Sequence, residues 1–366
     1  MSDQQPVHLR RGWTTGACAT AAARAAYEAL QRGAFPDPVS IELPNGAQVA
    51  FALATTDLGH DFARAGVVKD AGDDPDVTHG ALILATVRLA APGNGVTFRA
   101  GEGVGTVTRP GLALAPGEPA INPVPREMMR KAIAEAAKAL GGPEDVEIEI
   151  AIPGGQKIAE RTLNGRLGIV GGLSILGTTG VVVPYSCAAW ISSIHRGIDV
   201  ARAVGADHLA GATGDTSEKA LQRHFHLPDV AMIEMGDFAG GMLKYLRQHP
   251  VRRITVGGGF AKITKLGQGM LDLHSKRGAV DLPWLAERVR DAGGSEALAQ
   301  GVLTANTANE VLDRCAAAGV DIAAEVARYG WHTAAKALRG SGALLDIAIV
   351  NRAGEVIALT QPQPVD

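Results

Sequence analysis

Three short stretches gather carboxylates, hydroxyls and glycines in a way that could hold a small ligand: "GATGDTSE" at 211–218, "MGDFAGG" at 235–241 and "GGGFAK" at 257–262. All three follow strand-like runs within a strand–helix–strand–helix–strand pattern, and open parallel sheets bind ligands at the carboxyl ends of their strands. Asp215 and Asp237 can accept bonds from ribose hydroxyls, and a helix opening on Thr216, Ser217 and Glu218 offers free backbone N–H groups. A nucleoside-bearing ligand fits that chemistry. For any one loop there is a plainer reading, in which the glycines make tight turns and Asp215, Thr216 or Ser217 caps a helix. The three loops together favour a ligand site.

Other chemistries find less support. No G-x-x-x-x-G-K-[ST] run is present, Ser174 in "GGLSILG" lacks the G-x-S-x-G elbow, and "GEGVG" at 101–105 lacks the third glycine of a dinucleotide fingerprint. "VVKDAGDDPDVTHG" brings Asp70, Asp73, Asp74 and Asp76 together with Lys69 and His79. Four carboxylates could hold a hard cation, but Gly72 is misplaced for an EF-hand and no glutamate closes the loop, so a solvated loop with Asx turns is the simpler reading. His224 and His226 lack further ligands and read as surface residues; no metal site is expected. Cys18, Cys187 and Cys315 are far apart and odd in number, which suits reduced thiols.

The elements that must position these loops fall into two halves. In the first, "TTGACATAAARAAYEALQRG" reads as a helix capped at Thr15 and stopped at Gly33, and "VSIELPNGAQVAF" as a hairpin around Asn45-Gly46, a pair suited to a type I′ turn. Further strand-like runs and the amphipathic "PREMMRKAIAEAAKALGG" complete a mixed α+β domain over 1–160. Residues 161–366 read as an α/β domain with a largely parallel sheet, because strand-like "DHLAGA", "VAMIEMG" and "RRITVGGG" alternate with helix-like segments. Between Arg166 and Arg196 no Asp, Glu, Lys or Arg occurs, a length that could cross a bilayer; its glycines and Pro184 break it into short runs, so strands of a covered sheet are expected there.

Composition sets the outer bounds. A chain of 366 residues exceeds the usual size of one core, and 46% hydrophobic with 20% charged residues is ordinary for a folded domain. A formal charge of -3, with Lys and Arg scattered, gives no footprint for nucleic acid. The segment "MSDQQPVHLRRGW" lacks the apolar stretch of an export signal, so a cytoplasmic location is expected.

Five motifs in order, "RRGWTTGACATAAARAA", "VVKDAGDDPDVTHGA", "LNGRLGIVGGLSILGTTGVVVPYS", "GATGDTSEKA" and "GGGFAKITKLGQGMLDLHS", resemble the CbiD family of cobalt-precorrin-5B C1-methyltransferases. The resemblance implies transfer of methyl from S-adenosylmethionine to C1 of a cobalt-corrinoid macrocycle, giving cobalt-precorrin-6A, in anaerobic cobalamin biosynthesis. Cobalt would arrive within the substrate. On this reading Thr213, Gly214, Asp215, Glu218, Gly236, Asp237, Gly257 and Gly258 become the candidate cofactor contacts. The acidic arms of the macrocycle call for cations and N–H donors, and Arg10, Arg11, Lys69, Arg109, Lys262 and Lys265 lie in or beside the motifs. Thr14 and Thr15 either bind those arms at a helix start or simply cap the helix. In-line displacement needs little proton chemistry, so no single catalytic side chain is assigned; positioning would supply most of the acceleration. The macrocycle is expected against the first domain, in a cleft between domains. A nicotinamide-nucleotide-dependent oxidoreductase and a non-catalytic corrinoid carrier remain open, as does a homo-oligomer; no membrane partner is expected.

Overall fold

A computed structural model describes residues 9–274 and 278–366. Residues 1–8, part of the segment read as lacking an export signal, and Ser275, the last residue of the final motif, lie outside the described residues. The chain divides into two compact units after Ser186, not near residue 160 as expected. Backbone pairing explains the shift: Ile169–Val170 pairs with Thr106–Val107, and Val181–Val182 with Gly12–Trp13, tying this stretch to the first unit.

In the first unit a five-stranded sheet runs in the order Thr55–Leu58, Phe62–Val68, Leu82–Leu89, Val146–Ala151, Val96–Ala100, with its only parallel pair at the last step. Ala63, Ala65, Val67, Ile83, Ala85 and Val87 alternate to one face and bury against the helix Thr15–Arg32. That helix is mostly alanine on its buried sides, which lets its backbone lie close to the strands and to the neighbouring helix Pro123–Leu140. The hairpin at Asn45-Gly46 differs from the type I′ expectation. Gly46 donates to Leu43 O and Leu43 to Ala47 O, and only Gly46 has positive φ, so Pro44 and Asn45 form an ordinary turn closed by a left-handed glycine.

The uncharged stretch 166–196 does not form covered strands. Glycines 168, 171, 177 and 180 all sit at positive φ and limit it to two-residue strands, while Val170 and Val183 stay exposed and the helix Cys187–Ala203 begins within it. Among the described residues no helix is long and apolar enough to cross a membrane.

The second unit is the expected α/β arrangement. Its sheet runs Met232–Glu234, His208–Ala212, Arg253–Gly259, Leu344–Val350, Val356–Leu359, the first four strands parallel and the last antiparallel. One face carries Leu209, Ile254, Val256, Leu345, Ile347 and Ile349 and supports the main core with most of the helices. The other is lined by Ala210, Ala212 and Ala348 and receives the helix Asp215–Phe225 through Leu221. Gly257 belongs to that contact, because a Cβ there would lie 2.6 Å from Leu221 Cδ1.

Candidate functional site

The strand order makes a switch point. From His208–Ala212 the chain crosses to Met232–Glu234 on one side, then returns past it to Arg253–Gly259 on the other. Loops leaving two neighbouring strands in opposite directions must part, and the crevice they leave is where open α/β sheets bind ligands. A cavity of about 600 Å³ lies there, within the size range of small-molecule sites. Its walls are the 213–217 and 259–262 loops, the turn after Val350, and the helix Ala308–Ala317.

Two helices begin at this cavity, and neither start is capped by a side chain. Gly214 precedes Asp215–Phe225 and Gly259 precedes Phe260–Gly267, and neither residue has an oxygen to return to the first turn. Their leading N–H groups and positive dipole ends are left for a ligand oxygen. Asp215, expected as a turn residue before the helix, is its first residue; its carboxylate meets Lys219 at 2.9 Å on the exposed surface. Ser217, in the same turn, donates back to Gly214 O at 2.8 Å.

Of the expected cofactor contacts, Thr213, Gly214 and Asp215 line the cavity. Glu218 stands one turn along the helix, outside the lining. Gly257 lies under Leu221 and Gly258 against Thr213, so their missing side chains serve close packing. Gly236 and Asp237 follow the edge strand beyond Lys262. Asp237 is ion-paired with Lys262, and Gly236 lies against the Trp190 indole, whose N–H donates to Glu234 O at 3.3 Å.

The residues expected to meet substrate divide more sharply. Thr14 caps the first helix, accepting from Ala17 N at 3.1 Å, so the cap is Thr14 and not Thr15. Thr15 Oγ1 accepts from Leu176 N at 2.9 Å and packs against the Ser174 and Leu176 carbonyls. Both hydroxyls are buried and engaged within the fold. Lys69 is only 2% exposed and ion-paired with Asp76 at 2.7 Å. Desolvation pushes the Asp76 carboxyl up, but Lys69 and Thr78 together hold it below its ordinary range. Lys265 is buried with its ammonium on Leu273 O at 3.1 Å, and burial, with Lys262 nearby, pushes its pKa down. Arg109 lies over Gly168 and donates to Arg166 O at 2.8 Å. Arg10 pairs with Asp70 and, chiefly through that hydrogen bond, holds the carboxyl at about 2. Arg11 is exposed and has no side-chain partner among the described residues. Lys262 alone of this group lines the cavity.

The acidic 70–76 loop is engaged within the fold: Asp70 accepts from Gly72 N and Asp76 from Thr78 N in its own turns, and Asp73 accepts from Arg10 N of a distant segment. Sequence reasoning missed Asn309, Asp313, Asn351 and Arg352, all in the cavity wall. The rule that pointed to the other loops would have reached Asn351 and Arg352, which follow the fourth parallel strand; Asn309, in the first turn of its helix, and Asp313, near the middle, carry no such signal.

Family models agree with this layout: the CbiD model matches residues 2–184 and the "CbiD, C-terminal domain" model residues 272–361. The chain belongs to the CbiD family. Relatives named cobalt-precorrin-5B C(1)-methyltransferase extend the likeness almost end to end. The protein from Bradyrhizobium sp. (strain BTAi1) is 64% identical over 95% of this chain and 93% of its own length. Those from Methylorubrum extorquens and Agrobacterium fabrum are 62% and 60% identical, covering 96% and 97% of this chain and 97% and 94% of theirs. Among solved structures, the crystal structure of cobalamin biosynthesis protein (cbiD) from Archaeoglobus fulgidus matches at 27% identity over 74% of this chain and 83% of that one, with a TM-score of 0.41. The boundary between the two CbiD models leaves 185–271 unmatched, and the switch-point loops 213–217 and 259–262 lie in that interval.

Proposed function

We propose that this chain transfers methyl from S-adenosylmethionine to C1 of cobalt-precorrin-5B, giving cobalt-precorrin-6A, in anaerobic cobalamin biosynthesis. The observation that carries the reading is the near-full-length likeness to relatives of that name. The cavity supplies independent support for the methyl donor: its position at the switch point, two uncapped helix starts and polar walls suit a nucleoside with a charged tail. When bound, the donor provides a sulfonium methyl that a macrocycle carbon takes by in-line displacement.

The residues of the chain contribute binding, orientation and exclusion of water. Thr213 and Asp215 line the cavity with oxygens suited to ribose hydroxyls, and Leu312 offers apolar surface to the base. Lys262, held by Asp237 and by Leu273 O at 3.3 Å, keeps a fixed cation beside the cavity. Alignment of this kind accelerates the displacement, in which the sulfur–methyl bond breaks as the methyl–carbon bond forms and the proton lost by the macrocycle passes to solvent. Mass spectrometry of a turnover mixture containing the purified protein, S-adenosylmethionine and cobalt-precorrin-5B tests the reading. A macrocycle heavier by one methylene, with S-adenosylhomocysteine formed alongside, is expected. Binding of the macrocycle with no methylated product would make the protein a carrier, and binding of reduced nicotinamide in place of the methyl donor would make it an oxidoreductase.

A further inference from the structure

The cavity wall contains two charges of opposite sign with no partner. Arg352, in the turn after Val350, and Asp313, on the helix Ala308–Ala317, both line it, and among the described residues neither makes a hydrogen bond or ion pair. The other charged groups of the wall are engaged: Asp215 with Lys219, and Lys262 with Asp237. Asn351 is also occupied, exchanging bonds with Glu355 at 2.8 and 2.9 Å. Arg352 and Asp313 do not pair with each other, so each charge is left to the cavity they both line.

A ligand group that carries both charges satisfies both residues. The adenine and ribose of the proposed donor are neutral and need only oxygen acceptors and apolar surface. Its amino-acid end is a zwitterion and needs one cation and one anion. We infer that Arg352 and Asp313 hold that zwitterion, Arg352 receiving the α-carboxylate and Asp313 the α-ammonium; this rests on the reading of the cavity as the S-adenosylmethionine site. The residues come from the segment matched by the family's C-terminal model, so that segment completes a site begun by the parallel strands.

Calorimetric titration of the full chain with S-adenosylhomocysteine and with 5′-methylthioadenosine, which keeps the nucleoside and thioether but lacks the amino-acid end, tests the assignment. Arg352→Gln and Asp313→Asn are each expected to weaken S-adenosylhomocysteine roughly tenfold or more, the scale of a charge-assisted bond, and to leave 5′-methylthioadenosine unchanged. Both side chains are exposed and unpartnered, so both variants should fold as the parent does. Equal weakening of both ligands would place these residues on the nucleoside and overturn the assignment. No change for either ligand, with the parent binding S-adenosylhomocysteine, would overturn it too. A parent that binds neither ligand would sink the reading of the cavity itself, and the assignment with it.

Discussion

The helices Thr15–Arg32 and Asp215–Phe225 both begin behind turns of threonine and glycine, "WTTGA" in one and "ATGDTS" in the other. By residue type they offer the same chemistry. In the first, Thr14 caps the helix and Thr15 binds a loop from residues 174–176, so the N-terminal groups are already satisfied. In the second, Gly214 has nothing to cap with, and the start faces a cavity. A polar helix start becomes a binding group when the rest of the fold leaves it unsatisfied, and a fastening when it does not.

The largest effect expected from testing that contrast is on stability. Thr15→Val removes an oxygen that accepts from Leu176 N, leaving that part-buried N–H unpaired at a cost of about 1 kcal/mol or more. Urea unfolding should show that loss, while titration with S-adenosylhomocysteine should show parental affinity; a selective loss of affinity would return the first helix to the site. An intermediate effect concerns the opposite end of the parallel strands. There His208 Nε2 meets Thr255 Oγ1 at 2.8 Å, and Thr255 and Arg253 bind buried Asp346 at 2.6 and 2.8 Å. Burial, with Arg253 adding to it, pushes His208 down to about 4 from an ordinary 6.5. A base with a depressed folded pKa stabilises the fold fully above its unfolded value, so stability should fall as pH drops from about 6.5 towards 4. Burial raises the Asp346 carboxyl, which offsets part of that loss on acidification. Unfolding curves across this range should flatten in His208→Gln; an unchanged slope would clear His208 of the role.

The smallest stability effect, a gain, comes from making the second helix start resemble the first. Gly214 is extended, with open space where a Cβ would stand, so Gly214→Asp can place a carboxylate over the first turn. A gain of roughly 0.3–0.5 kcal/mol is expected from the new cap. S-adenosylhomocysteine affinity should fall about tenfold as the free N–H groups are taken up. A better-capped helix that bound the ligand as well as the parent would show that this start has no part in binding.

Much of the second unit was legible because its signals are local. Strand-like runs alternating with helices require a parallel sheet, and the loops carrying Thr213, Gly214 and Asp215 do reach the switch point. Gly257 and Gly258 looked like ligand contacts because glycine permits close approach, and they do permit it, to Leu221 and to Thr213. The uncharged 166–196 stretch misled because apolar content suits a buried strand and an irregular loop equally, and only the left-handed glycines decide between them.

By itself the sequence determined the family, the α/β character of the second half and the strand-end loops as the place to look, since each depends on neighbours a few residues apart. Tertiary structure decided which polar groups are free. Lys69 and Lys265 are buried, Thr15 is engaged by a loop beginning 159 residues away, and Asp313 and Arg352, from distant segments, both line one cavity. Whether a hydroxyl or a charge is available depends on what packs against it, and distant parts of the chain supply those partners only on folding.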